Sequence, residues 1–395
     1  MLSLIKARVA LSCCLAIGDG ANDVAMIQAG QIGVGIIGCG KISQAYFDGA
    51  KTFDVLKILA CADLNESTAQ AKAEENGCEA MTIAKLLAHP EIQLVINLTI
   101  PSAHAAVSRD ILKAGKHAYC EKPLTVQLED AQDLLVLAKS KGLLIGCAPD
   151  TFFGAGIQTC REIVDSGEVG TITSGTAFML CAGPESWHPN PGFYYLLGGG
   201  PVFDMAPYYL TALVNLIGPI KRVCAMTTKA HESRIASSPE REGEVLTVEV
   251  NTHASGTLEF HSGAIITAVF SFDVHAAEHS PIQLYGTQGS IKVPDPNTFG
   301  GPVERLIAKD EAREWKEVEL TRPYSENTRS IGVADMARAI LNERPHRASG
   351  ALACHILEVM HAFDQSSESG RTIEIESQPG RPAALPAGLA QGKLD

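Results

Sequence analysis

A short apolar run, Val34-Gly35-Ile36-Ile37, passes directly into Gly38-Cys39-Gly40-Lys41-Ile42-Ser43. Such a run predicts a buried strand that turns sharply into a helix reaching Gly49. Gly38 permits the tight turn, and Gly40 lets the backbone approach a pyrophosphate held on the N–H groups that open the helix, Lys41 and Ile42 among them. Ser43 stands in the third glycine position of this dinucleotide-binding pattern. The pattern alone is a weak sign, because glycines also serve close packing. Here it follows a strand, opens a helix, and precedes Asp63 at the end of the next apolar run, Val55–Ala62. A carboxylate there would accept hydrogen bonds from an adenosine ribose and repel a 2′-phosphate, so NAD is expected, with NADP disfavoured. Asp63 taken singly also reads as a solvated turn acid.

The same alternation continues for about a hundred residues. Strands at 94–98, 117–120 and 143–147 are separated by helical patterns at 66–76, 105–114 and 128–139, which implies a parallel sheet covered on both faces. After Pro149 the pattern changes. Segments 171–181, 221–228, 245–253, 256–261, 264–273, 282–286 and 289–293 are strand-like and follow one another with few helices between, which predicts one antiparallel sheet. Helices are expected at Pro201–Ile217, Val333–Leu341 and Ala353–Gln365. The fold class is therefore an α/β Rossmann dinucleotide-binding domain followed by an α+β domain with a large antiparallel sheet. The predicted division is an N-terminal appendage at 1–30, the NAD-binding domain at 31–150, a substrate-binding and oligomerisation domain at 151–378, and a mobile tail at 379–395 rich in Pro, Gly and Ala.

Composition narrows the partners. The 395 residues carry a formal net charge of −13 and no long basic run, which argues against nucleic acid or an anionic membrane. No apolar run reaches the roughly 18 residues needed to span a bilayer. Lys6 and Arg8 before the apolar Val9–Ile17 have the outline of a signal peptide, but the run is short and no cleavage site follows, so a cytoplasmic location is expected. The 11 cysteines are scattered, without a C-x-x-C pair, so neither a disulfide framework nor a metal site is expected.

Three further segments carry chemistry. Asn97-Leu98-Thr99-Ile100-Pro101, then His104, lie at the C-terminal end of a parallel strand, where open α/β sheets bind ligands. Glu121-Lys122-Pro123 follows the next strand. A partly desolvated lysine there would lose basicity and could exchange protons with a substrate oxygen; an ion pair with Glu121 accounts for the same residues equally well. Glu185-Ser186-Trp187-His188-Pro189 could form a specificity loop, with Trp187 on the apolar face of a sugar and His188 bonding its hydroxyls, or it could be a structural plug. Asp150, after the last Rossmann strand, is a candidate to face nicotinamide or substrate.

Together, the glycine fingerprint, Asp63, Thr99–His104 and Glu121-Lys122-Pro123 resemble the glucose–fructose oxidoreductase, inositol dehydrogenase and MocA family. The likeness continues through Asp165–Gly170, Gly198-Gly199-Gly200-Pro201-Val202-Phe203-Asp204 and Tyr285–Ser290, covering about residues 32–375. It implies that Thr99, Pro101, His104, Glu121 and Lys122 border the cofactor, that Lys122 is catalytic and its bond to Pro123 cis, and that the outer face of the sheet makes a homodimer or homotetramer. Many relatives continue with D-x-G-x-H-x-x-D. This chain keeps Asp204 but has Ala206, Tyr208 and Thr211 in the other positions, and some relatives use tyrosine as here. Asp204 and Tyr208, four residues apart, would share one helix face, where a phenol beside the lysine could act as general acid/base. Phe152 and Phe153 stand where several relatives carry arginine, so a substrate carboxylate there is not expected.

The expected function is hydride transfer between NAD and a sugar, cyclitol or related polyol. An NAD-retaining glycosidase and a non-catalytic NAD sensor are the alternatives. Residues 14–36 separately resemble the G-D-G-x-N-D segment of P-type ATPases. The phosphorylation motif of those pumps is absent, so the segment reads as an appendage.

Overall fold

The computed structural model describes residues 30–395, so the expectations for the N-terminal appendage and most of the ATPase-like segment lie outside the described residues. The chain begins with β1 (Ile32–Ile37), α1 (Ser43–Ala50), β2 (Leu56–Ala62), α2 (Glu66–Asn76), β3 (Glu79–Ala80), α3 (Ile83–Ala88), β4 (Leu94–Asn97), α4 (His104–Lys113), β5 (His117–Cys120), α5 (Leu128–Ser140) and β6 (Ile145–Cys147). The helices start and stop on local chemistry. Asn65 caps α2 by accepting the Ser67 N–H, and Gly77, at φ +70°, ends it. The six strands lie in the order β3-β2-β1-β4-β5-β6, all pairs parallel. The order reverses between β1 and β4, so the loops after these two strands open a crevice at their C-terminal ends.

From α6 (Ala155–Asp165) the chain enters a second sheet: β7 (Ile172–Leu180), α7 (Gly200–Asp204), α8 (Ala206–Ile217), β8 (Ile220–Thr228), the ribbon β9 (Ser233–Ile235) and β10 (Val245–Thr247), then β11 (His253–Phe260), β12 (Ile265–Ser271), β13 (Ile282–Gly286), β14 (Gly289–Val293), β15 (Val303–Ile307) and β16 (Lys316–Val318). It closes with α9 (Ile331–Asn342), α10 (Gly350–Ser369) and β17 (Ile373–Glu374). Nine of these strands form one sheet in the order β16-β15-β14-β13-β7-β12-β11-β8-β17. One face packs on α8 and α10, whose apolar sides are buried. The other exposes Met226 and Ile265.

Several expectations needed correction. The second sheet is mixed, because β12 runs parallel to β7. Side-chain alternation reveals a strand but not its direction, and β12 and β13 reach the two sides of β7 from distant parts of the chain. The run 245–253 is not one strand. It divides at Thr247 between the two-stranded ribbon and β11. Strands β15 and β16, charge-rich and at the sheet edge, were not anticipated. The helix expected at 201–217 is two helices broken at Met205, because Pro207 has no N–H to continue the ladder to Phe203. Asp204 and Tyr208 therefore flank a break and do not share one continuous helical face.

The late helices join the two sheets. α10 lies on β8 and also against α5 and β6, and Ser349 extends the Rossmann sheet by a bridge to Gly146. The tail, expected to be mobile, is packed. Leu385 and Leu394 are buried, Tyr324 donates to the Lys393 carbonyl at 2.6 Å, and Asp395 pairs with Arg347 at 2.9 Å. Pro and Gly prevent regular structure there without preventing burial. Beneath the tail, the fully buried Asp335 pairs with Arg347 and Arg344 and accepts the Arg347 N–H. Removing that carboxylate leaves Asp395, which is more exposed, as the remaining carboxylate partner of both arginines. Asp335→Ala should lower unfolding free energy by about 3–5 kcal/mol in urea titration; a loss under about 1 kcal/mol would show that the cluster is solvated.

Candidate active site

A cleft of about 940 Å³ runs from the fingerprint loop to the second sheet, near the upper end of the roughly 300–1,000 Å³ typical of small-molecule sites. Its first end is Gly40, Lys41 and Ile42. Gly38 adopts φ +100°, and a Cβ there would meet the Leu98 carbonyl oxygen at 2.6 Å, so the turn admits glycine alone. A Cβ on Gly40 would project into open space within the cleft, the place a close-lying pyrophosphate needs. No side chain caps α1. Ser43 and Ala45 donate to the Gly40 and Ile42 carbonyls, while the N–H groups of Gly40, Lys41 and Ile42 just before the helix make no hydrogen bond among the described residues and can receive an anion. Asp63 is not on the cleft wall. Its Oδ2 accepts the Cys39 N–H at 2.8 Å and its Oδ1 the Asn65 N–H at 2.9 Å, which holds the fingerprint loop against the end of β2. Each oxygen keeps lone-pair capacity for a ribose hydroxyl. These residues fit a dinucleotide.

Along the wall, Leu98, Thr99, Ile100 and Pro101 follow β4, and Glu121, Lys122 and Pro123 follow β5. His104 touches the cleft but mainly ties its two loops together. It is 1% exposed, with Nδ1 2.6 Å from the Pro123 carbonyl and Nε2 3.0 Å from that of Thr99. Burial holds its basicity below that of free histidine. Glu121 accepts the Tyr46 hydroxyl at 2.8 Å and the Lys122 N–H at 2.9 Å. The Lys122–Pro123 bond is cis.

Lys122 occupies the centre. Its Nζ donates to Asp204 Oδ1 at 2.5 Å and to the Asp204 carbonyl at 2.7 Å, and lies 5.4 Å from the Tyr208 ring centroid. Two of the three ammonium N–H bonds are thus taken, and one remains for a ligand. The partner is Asp204, not Glu121. The expectation of a weakened base is overturned as well. Burial alone would lower the lysine's affinity for its proton, but Asp204, Tyr208 and Glu121 outweigh it and raise the pKa above the ordinary lysine value. Lys122 is an ammonium in this arrangement.

Tyr208 lines the cleft with its ring, while its hydroxyl accepts from Arg329 Nη2 at 3.3 Å. Arg329 was not anticipated. It lies in the loop before α9, far along the chain from every other site residue, and no local pattern marks it. Asp150 is placed differently from expectation. It is fully buried beneath the cleft, because the start of α9 covers the end of β6. Its Oδ2 accepts the Gly332 N–H at 3.2 Å, and its Oδ1 lies 4.0 Å from Arg329 Nη1. It cannot touch substrate there.

An aromatic wall completes the mouth. Trp187 and His188 line it, joined by Phe193 and Tyr194, and Lys41 Nζ lies 5.6 Å from the Trp187 ring across the opening. Phe193 and Tyr194, in the tight Pro-Gly-Phe-Tyr-Tyr turn Pro191–Tyr195, were not anticipated. Beyond Lys122 the wall includes His279, Asp295 and Asn297, also missed. No cluster suited to a metal ion occurs among the described residues, and no helix among them is long and apolar enough to cross a membrane.

Burial pushes the Asp150 carboxyl up to about 6, with Arg329 opposing the shift. A carboxyl whose folded value exceeds its unfolded one stabilises fully at low pH, and that contribution is lost as pH rises through about 6. Between pH 4 and 7 the native protein should therefore lose roughly 1–3 kcal/mol relative to Asp150→Asn, measured by denaturant titration of both. A difference independent of pH would mean that Asp150 is ionised throughout.

Residues 32–148 match the oxidoreductase family profile described as an NAD-binding Rossmann fold, and residues 157–292 match the GFO/IDH/MocA C-terminal domain. Uncharacterized oxidoreductase C115.03 of Schizosaccharomyces pombe is 29% identical over 41% of this chain, and the chain spans 45% of that protein's length. D-glucoside 3-dehydrogenase of Escherichia coli is 29% identical over 65% of this chain and 72% of its own. In fold, the chain resembles levoglucosan dehydrogenase solved with NADH and L-sorbose, at TM-score 0.77 and 20% identity, over 88% of this chain and 99% of that one. The fingerprint, the lysine after β5 and the two sheets thus converge on one conclusion: this chain belongs to the GFO/IDH/MocA oxidoreductase family.

Proposed function

We propose that the chain is an NAD-dependent oxidoreductase that interconverts a secondary alcohol and a carbonyl on a sugar, cyclitol or related polyol. The observation that carries this reading is the single unused N–H of Lys122, held by Asp204 inside a cleft that begins at a dinucleotide fingerprint. The relatives support the substrate class, since D-glucoside 3-dehydrogenase and D-xylose dehydrogenase are among them.

Gly40, Lys41 and Ile42 would hold the pyrophosphate and Asp63 the adenosine ribose. The nicotinamide, when bound, supplies the hydride acceptor or donor. Everything else falls to the chain. Lys122 donates a hydrogen bond to the reacting oxygen and fixes it against the Tyr208 ring. In carbonyl reduction the ammonium passes a proton to the oxygen as the carbon is reduced, leaving a neutral amine on Asp204. In alcohol oxidation the neutral amine takes that proton back. Asp204 orients Nζ through two contacts, and Arg329 donates to the Tyr208 hydroxyl at the same wall of the cleft. Trp187, His188, Phe193 and Tyr194 offer apolar faces and an imidazole to the sugar. The exposed Met226 and Ile265 on the open sheet face support self-association there.

Removal of the amine should stop chemistry and spare the nucleotide. Lys122→Ala should reduce NADH formation across a sugar panel by at least about a hundredfold, with NAD affinity by calorimetry changed less than about threefold. Unchanged turnover would remove Lys122 from the chemistry. Because the lysine holds its proton above its ordinary value, oxidation of the best substrate should accelerate steadily from pH 7 to 10 while reduction stays flat. A bell centred near neutrality would assign the proton to another group. NAD should be preferred to NADP, and Asp63→Ala should shrink that preference by about tenfold; equal use of both by the native protein contradicts the role of Asp63.

A further inference from the structure

The cleft does not end at the reacting centre. Past Lys122 its wall is built from the second sheet, where Phe178 and the His279 ring stand edge to face at 5.1 Å and Asp295 and Asn297 follow β14. Asp295 Oδ1 accepts the Asn297 N–H at 2.9 Å and fixes this turn. Asn297 and Arg329 also form part of the wall of a second cavity, of about 430 Å³, whose other polar lining is Thr298, Ser325, Glu326 and Asn327. Among the described residues, Asn297 and Glu326 enter hydrogen bonds through backbone atoms alone, which leaves the amide and the carboxylate unengaged.

The chemistry of that lining is specific about what it would hold. Arg329 already faces Asp150, so with Glu326 the lining carries no positive surplus that would select a phosphate or a carboxylate. Amides, hydroxyls and a carboxylate offer both donors and acceptors, the complement of a neutral polyhydroxylated ring. A nicotinamide and one such ring beside Lys122 would leave this second polar cavity unfilled.

We propose that the second cavity is a carbohydrate subsite, so that the preferred substrate is a glycoside or disaccharide whose first ring presents its hydroxyl to Lys122 and whose second ring reaches Asn297, Arg329 and Asn327. The placement of the first ring rests on the oxidoreductase reading above. The second cavity is a property of the chain itself.

Binding and turnover separate the two ideas. Calorimetric titration of the NADH-loaded protein with glucose, cellobiose and maltose, and with xylose and xylobiose, should show at least one disaccharide bound about tenfold more tightly than its monosaccharide, the contribution of one or two net hydrogen bonds. Asn327 is exposed, so Asn327→Leu should fold normally, abolish that advantage and leave monosaccharide affinity unchanged. Disaccharide preference without NADH formation from any sugar would sustain the subsite and contradict the oxidoreductase reading. Equal affinity for each disaccharide and its monosaccharide, or an Asn327→Leu loss shared by both, overturns the subsite.

Discussion

The contact between Lys122 and Asp204 links the end of β5 in the parallel sheet to the end of α7 over the mixed sheet. The two side chains are only 15% and 19% exposed, so each would be costly to bury without the other. Their pairing ties the two halves of the chain together across the cleft, beside the joint that α10 and the Ser349 bridge make behind it. It also decides the chemistry. An isolated buried lysine would give up its proton readily, whereas this one keeps it and offers a directed N–H to whatever occupies the cleft.

The pair sits in a wider balance of charge. Around and below the cleft, Lys122 and Arg329 face Glu121, Asp150 and Asp204, so three carboxylates meet two cations. Asp150 is the most deeply buried of them, and its burial, only partly offset by Arg329, raises its affinity for a proton. Arg329 is shared between Asp150 and the Tyr208 hydroxyl. A residue from the loop before α9 thereby sets the position of a phenol on α8. The break at Met205 serves the same end, since it places Asp204 and Tyr208 on separate short helices around one amine instead of in a row along a single helix.

What was legible in the sequence follows from how local each signal is. The Rossmann half was readable because strand, turn and helix succeed one another within thirty residues, and because Gly38 answers to a backbone conformation that other residues avoid. Lys122 and Asp204 were legible as types at marked positions. Their contact spans 82 residues, so a nearby decoy, Glu121, stood equally well as the partner. Asp150 was misplaced for a related reason: the helix that buries it begins at Ile331. Arg329, Asp295 and Asn297 carry no periodicity and no motif, and they matter only through where distant strands bring them. The direction of β12 was invisible because alternation has no polarity, and the packed tail because Pro and Gly report on regularity, not on burial.

The account stands or falls on the position of one nitrogen. A crystal structure of the protein with NADH and a bound sugar should place Lys122 Nζ within about 3 Å of a sugar hydroxyl oxygen, with the carbon bearing that oxygen next to the reactive edge of the nicotinamide. A sugar bound elsewhere, or a nicotinamide turned away from Lys122 while Nζ still holds only Asp204, would contradict it.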